Sequence, residues 1–149
     1  MNLFNEIKND HEKQRTLLDL LVNTNGESDG RKELYKRLKD TLKVHADAEE
    51  RFFYRPLFKH DRTQDQARHS VAEHQDIDEL LEELDSTDMS SPSWLATAKK
   101  LKDQVIHHLD EEEEDVFEMA DKTLANSRME SLAKDYRDMM DHPEKRGNK

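Results

Sequence analysis

The chain has 149 residues, and 24 Lys and Arg against 35 Asp and Glu leave a net charge of −11 with histidine neutral. Such a charge repels phosphate backbones and anionic lipids, and no basic cluster offsets it, which argues against nucleic-acid or membrane binding. Cysteine is absent; disulfides, thiolate metal sites and cysteine nucleophiles are therefore excluded, and any metal must use nitrogen and oxygen ligands.

With 33% hydrophobic and 40% charged residues, a core can form only if each element gathers its apolar side chains on one face. Apolar spacing of three and four predicts helices near 2–22, 31–56, 64–85 and 92–120, with a shorter one near 126–141. The polar stretches NTNGESDG (23–30), the segment after Pro56, and DSTDMSSPS (85–93) read as loops. Ser91 followed by Pro92 fits an N-cap and first turn. No segment alternates as a half-buried strand does, and no apolar run approaches the roughly 20 residues of a membrane span. The charged start MNLFNEIKND is unlike a secretory signal, so a cytoplasmic chain is expected. The expected fold is all-α: an up-down-up-down four-helix bundle over 1–120, followed by a short additional C-terminal helix and tail over 121–149. In that last segment Leu124, Met129, Leu132, Tyr136, Met139 and Met140 form a stripe suited to covering the bundle's own core.

A shift of 63 residues lays LKDTLKVHADAEE (38–50) over LKDQVIHHLDEEE (101–113), and Leu17, Leu18 and Leu21 over Leu80, Leu81 and Leu84. His11 then falls on His74, His45 on His108 and Glu49 on Glu112. Two related helix pairs facing across a pseudo-two-fold axis are expected, and a site on that axis would receive matching ligands from both.

Helical phase sorts the histidines. His11 shares a stripe with Phe4, Ile7 and Leu18; His45 and Glu49 share one with Leu34, Leu38, Leu42 and Phe52. His74 lies with Val71, Ile77 and Leu81, while His108 and Glu112 flank Leu101, Val105 and Met119. At 1.5 Å per residue, all four inward histidines sit roughly 15–22 Å from the loop ends, so they can meet in one layer. His69 with Glu73 leans to the polar edge, His107 with Glu111 points away, and His60 and His142 fall in a loop and near the C-terminus; these four histidines read as solvent-facing. Asp78 has nearly the phase of His74 and is a candidate acceptor for that ring's far nitrogen. Tyr35, Tyr54 and Trp94 read as packing residues.

Four imidazoles and two carboxylates in one layer of a small bundle conflict with the cost of burying charge, and bound cations resolve the conflict. Two ions suit the symmetry better than one, each taking two histidines with Glu49 and Glu112 between them. Imidazole and carboxylate suit iron, zinc, manganese or copper, and bridged pairs in bundles are most often iron or manganese. The Glu-x-x-His spacing of ferritin-like sites and the His-Glu-x-x-His of zinc proteases do not occur.

The ordered set of His11, His45-x-x-x-Glu49-Glu50, Glu73-His74 and His108-x-x-x-Glu112-Glu113 resembles the hemerythrin-like, or HHE cation-binding, family over about residues 3–120. The resemblance implies a four-helix bundle holding two iron ions with an oxo or hydroxo bridge, with manganese or zinc as alternatives. His11 and His45 match ligands of one ion, His74 and His108 of the other, and Glu49 and Glu112 the bridging carboxylates. Family members bind O₂ reversibly, sense oxygen, iron or nitric oxide, or turn over peroxide. Their O₂ carriers have a further histidine one turn before the position of His74; that position here is Ser70, with His69 adjacent but about 100° away in phase. The loss leaves about five ligands per ion and an open sixth position, which favours peroxide chemistry over O₂ storage. The implied activity is peroxidase- or catalase-like, or another diiron redox reaction, and the small ligand O₂, peroxide or nitric oxide. The alternative is a metal- or oxygen-responsive sensor without turnover. No protein partner is identified by the sequence.

Overall fold

The computed structural model describes residues 2–144; Met1 and the tail 145–149 lie outside the described residues. Helix α1 spans Leu3–Val22. A second rod comprises α2 (Asp29–Glu49), a π-helical turn (Glu50–Tyr54) and α3 (Arg55–Phe58). Helix α4 spans Asp61–Ser86. The fourth rod comprises α5 (Pro92–Glu111), a second π-helical turn (Glu112–Val116) and α6 (Phe117–Thr123), and α7 (Asn126–Asp141) follows. The expected helical bundle with an extra C-terminal helix is thus present, and no strand occurs among the described residues. None of the described helices is long and apolar enough to cross a membrane.

Local chemistry sets the helix starts. The side chains of Asn2, Ser28 and Ser91 accept hydrogen bonds from the backbone N–H of Asn5, Arg31 and Trp94, meeting donors that have no partner within the first turn. The first loop turns back through Gly26 at φ 58°, a left-handed conformation that costs a residue without Cβ little. Buried Arg31 ties this end together, donating from Nη2 to the Thr24 carbonyl at 2.7 Å and from Nη1 to the Met89 carbonyl at 2.6 Å.

Both long rods contain a widened turn that periodicity did not predict. Arg55 N–H bonds to the Glu50 carbonyl and Phe117 N–H to the Glu112 carbonyl, each spanning five residues instead of four. Pro56 stands just after the first widened turn, but no proline stands near the second; what the two share is a position beside Glu49 or Glu112. The extra residue moves every later side chain back by one position. The predicted inward residues Phe52 and Met119 are consequently only partly buried, and their successors Phe53 and Ala120 are fully buried.

The apolar core forms two masses. One contains Leu17, Leu18, Leu38, Leu81, Trp94 and Leu101. The other contains Leu3, Ile7, Phe53, Leu57, Phe117 and the inner face of α7. Helix α7 packs against α1 and α2 and buries Met129, Leu132, Tyr136 and Met139. Between the two masses lies a layer of histidine and glutamate.

Candidate metal centre

His11, His45, Glu49, His74, His108 and Glu112 all meet in that layer. Each is buried, with His74 the most exposed of them at 7%. Four rods contribute: α1 supplies His11, α2 His45 and Glu49, α4 His74, and the fourth rod His108 and Glu112. His45 Nε2 and His74 Nε2 lie 3.1 and 3.2 Å from Glu49 Oε1, and His11 Nε2 lies 4.0 Å from Glu49 Oε2. Glu112 reaches His11 Nε2 at 3.1 Å through Oε1 and His108 Nε2 at 3.6 Å through Oε2. At bond lengths of about 2.1 Å, neighbouring metal ligands stand about 3.0–3.4 Å apart, so these spacings suit ions placed among the atoms. The candidate ligand atoms form two groups, His11, His45, Glu49 and Glu112 on one side and Glu49, His74 and His108 on the other.

The hydrogen bonds also fit a cation. The Nε2 atoms of His11, His45 and His108 and all four oxygens of Glu49 and Glu112 are buried without a hydrogen-bond partner. Seven such polar atoms facing one another would be costly in a metal-free core, because each has lost water and gained nothing directional. The far nitrogens are satisfied instead. His11 Nδ1 donates to Glu113 Oε2 at 2.7 Å, His74 Nδ1 to Glu50 Oε2 at 3.1 Å, and His108 Nδ1 to Glu73 Oε1 at 2.8 Å. These bonds favour a proton on each Nδ1 and aim each Nε2 inward, where its lone pair can serve a cation once the ring is neutral.

His45 is held differently. The Tyr136 hydroxyl, from α7, donates to Asp10 Oδ2 at 2.7 Å and accepts from His45 Nδ1 at 2.7 Å. Arg137 Nη2 donates to the same Asp10 oxygen at 2.8 Å. Asp10 and Glu73 are mates under the 63-residue shift. Glu73 reaches His108 directly, whereas Asp10, one methylene shorter, reaches His45 through an inserted phenol. Substituting Tyr136→Phe should therefore weaken metal binding at the His11/His45 half by about 10–100-fold, the usual effect of losing such a supporting contact, and leave the other half unchanged. Metal retained per chain during chelator competition checks this.

Several expectations need correction. Asp78 is not the acceptor for His74; it faces Lys43 at 3.6 Å, half exposed, because Glu50 has already taken His74 Nδ1. Glu73, placed by phase at the polar edge, is buried, since α4 packs against α5 along that edge. His69, by contrast, faces solvent as its phase predicts: it is 57% exposed and paired with Glu111 at 3.0 Å. Ser70 itself is buried. Phase did not single out Glu50, Glu113 and Asp10, although the repeat carries a signal for them: an acid precedes both His11 and His74, and another follows both Glu49 and Glu112. Tyr35 and Trp94 pack in the distal core mass, but Tyr54 stands beside the centre, its ring 5.6 Å from His74 and its hydroxyl buried without a partner.

Charge in the metal-free layer is finely divided. Burial pushes Glu49 up, but His45 and its other neighbours outweigh it and hold the carboxyl well below the usual range. Burial and the Glu49 charge push Glu112 well above it. Burial alone would lower His74, yet Glu49 and Glu50 raise it to about 9. Burial lowers His11 and His108 despite Glu113 and Glu73. Glu112 is thus driven toward its neutral form, because two adjacent buried carboxylates resist ionising together, and a cation entering the layer would favour loss of that proton.

A family model described as the hemerythrin HHE cation binding domain matches residues 2–120. The chain belongs to that family. The HHE fold is also seen in a solved structure, the crystal structure of a hemerythrin HHE cation binding domain-containing protein, an Rv2633c homolog from Mycobacterium kansasii. It shares 22% identity, with a TM-score of 0.86 over 99% of this chain and 88% of that one. No curated protein matches the sequence. The fold, the family and the His/Glu groups together make this HHE chain a cation-binding domain.

Proposed function

We propose that this HHE domain holds two iron ions, joined by an oxo or hydroxo bridge and by Glu49 and Glu112, and uses them on a small ligand of the O₂, peroxide or nitric oxide class. Peroxide turnover is the favoured activity. His11 and His45 would hold one ion, His74 and His108 the other. Iron in that position supplies reversible one-electron redox chemistry and coordination positions open to ligand.

The observation that carries the reading is a cavity of about 20 Å³ touching His45, His74 and His108. It has room for about one water-sized molecule. Leu42, Ile77, Val105 and Leu109 wall it, while Gln14 and half-exposed Asp78 add polar groups. The Gln14 side chain is buried and its Nε2 has no partner, which leaves an amide free to donate to a small oxygen or nitrogen ligand.

The experiment is peroxide consumption by the purified iron-loaded chain, with iron counted by elemental analysis. Two irons per chain and sustained peroxide loss are expected. A long-lived reversible oxygenated spectrum with no peroxide loss would overturn turnover, and manganese or zinc in the chain as isolated would overturn iron. A second reading, a sensor without turnover, has its own support: Tyr136 links His45 to α7, so the state of the centre can be felt by a surface helix. Absence of peroxide loss together with metal-dependent protection of 126–141 from hydrogen exchange would favour it.

A further inference from the structure

A second group of ligating side chains converges on the surface between α4 and α5. His69 Nε2 lies 3.0 Å from Glu111 Oε1 and 3.5 Å from Glu73 Oε2. His107 Nε2 lies 3.2 Å from Glu111 Oε2 and 3.9 Å from the same Glu73 oxygen. Both imidazoles are exposed, yet each turns its Nε2 toward the same two carboxylates.

Protonated rings making surface ion pairs would give such contacts for little free energy. Two features point further. The first is the donor set: one nitrogen of His69 and one oxygen each of Glu73 and Glu111 lie within 4.8 Å of one another, with His69 at 3.0 and 3.5 Å from the two carboxylates against about 3.4 Å between ligands of a tetrahedral site with bonds of about 2.1 Å, and His107 flanks the group. The second is the pseudo-two-fold. The 63-residue shift carries Glu6 onto His69, Asp10 onto Glu73 and Val44 onto His107. On the Glu6/Asp10 side a cation already occupies the corresponding place: Arg137 lies 3.2 Å from Glu6 and 2.8 Å from Asp10. Arg137 comes from α7, which packs against α1 and α2. The mate surface carries two imidazoles where the covered one has Glu6 and Val44.

We propose that His69, Glu73 and Glu111, flanked by His107, form a surface site for one divalent first-row transition cation, separate from the buried centre and joined to it through Glu73. The imidazole and carboxylate set suits zinc, copper or iron and is ill-suited to calcium or magnesium. Glu73 is the shared element, with Oε1 on His108 Nδ1 and Oε2 facing the surface group. A cation on Oε2 draws charge from this carboxylate and loosens its hold on His108, so the outer site tunes an inner ligand. The site does not depend on which metal or activity the buried centre has.

The test takes the purified chain with its buried centre filled and titrates it with Zn²⁺ by calorimetry, counting both the resident metal and zinc after desalting. One additional equivalent per chain is expected, and the double variant His69→Ala/His107→Ala should lose it while keeping its resident metal and its helical circular dichroism. Glu111→Gln, a partly exposed position on the same site, provides a second variant that should weaken the added equivalent. No added equivalent, an equivalent that persists in the double variant, or zinc uptake matched by loss of resident metal would overturn the proposal.

Discussion

Chelation is expected to lower the unfolding midpoint by about 8–16 °C for each ion removed, without abolishing the helices. An ion present at about a thousand times its dissociation constant contributes about 4 kcal/mol to the folded state, and for a chain of this size each kcal/mol moves the midpoint by about 2–4 °C. The fold survives because the metal-free layer can divide its charge: burial and Glu49 push Glu112 toward its neutral form, His45 and its neighbours favour the charged form of Glu49, and Glu49 and Glu50 favour that of His74. The two apolar masses on either side remain packed. Thermal unfolding followed by circular dichroism before chelation, after it, and after reloading measures the shift; an unchanged midpoint would mean that the layer binds no structural cation.

Replacing Glu49 with glutamine removes bound metal more completely than any substitution outside the ligand layer. Glu49 is the residue common to both ligand groups, with Oε1 near His45 and His74 and Oε2 toward His11. The amide keeps the shape but brings an N–H₂ donor and no negative charge. Loss of one partner from a buried charged contact costs about 3–5 kcal/mol, and at about 1.4 kcal/mol per factor of ten the affinity falls by roughly 10²- to 4 × 10³-fold. Elemental analysis after competition with a chelator should show less than one ion per chain in Glu49→Gln. Glu113→Gln, which touches only the far side of His11, should show a milder loss of about 10–100-fold. Equal retention by Glu49→Gln and the parent chain would remove Glu49 from the bridging role.

The histidine layer was legible because its determinants are periodic. His11, His45, His74 and His108 recur on apolar stripes at a common depth, and the 63-residue repeat pairs them, so composition and phase alone bring the rings together. The loops and caps were legible for a similar reason: Ser91 and Pro92 act through their own backbone chemistry within one turn. Contacts between elements were less so. Asp78 has the phase to serve His74, but phase does not measure reach across a helix pair, and Glu50 arrives first.

What the linear pattern determined about this protein is the set of rods, the face each buries and the four rings and two carboxylates they carry inward, since a regular helix turns about 100° per residue whatever surrounds it. Tertiary structure decided the rest. The two widened turns break that regularity beside Glu49 and Glu112, moving Phe53 and Ala120 into the core positions expected for Phe52 and Met119. The supports of the rings depend on which helices meet, as with Glu73 against His108 across α4 and α5, and Tyr136 between His45 and Asp10 at a separation of 126 residues from Asp10. No local periodicity encodes a hydrogen bond between residues that far apart; it exists only once packing has brought their helices together.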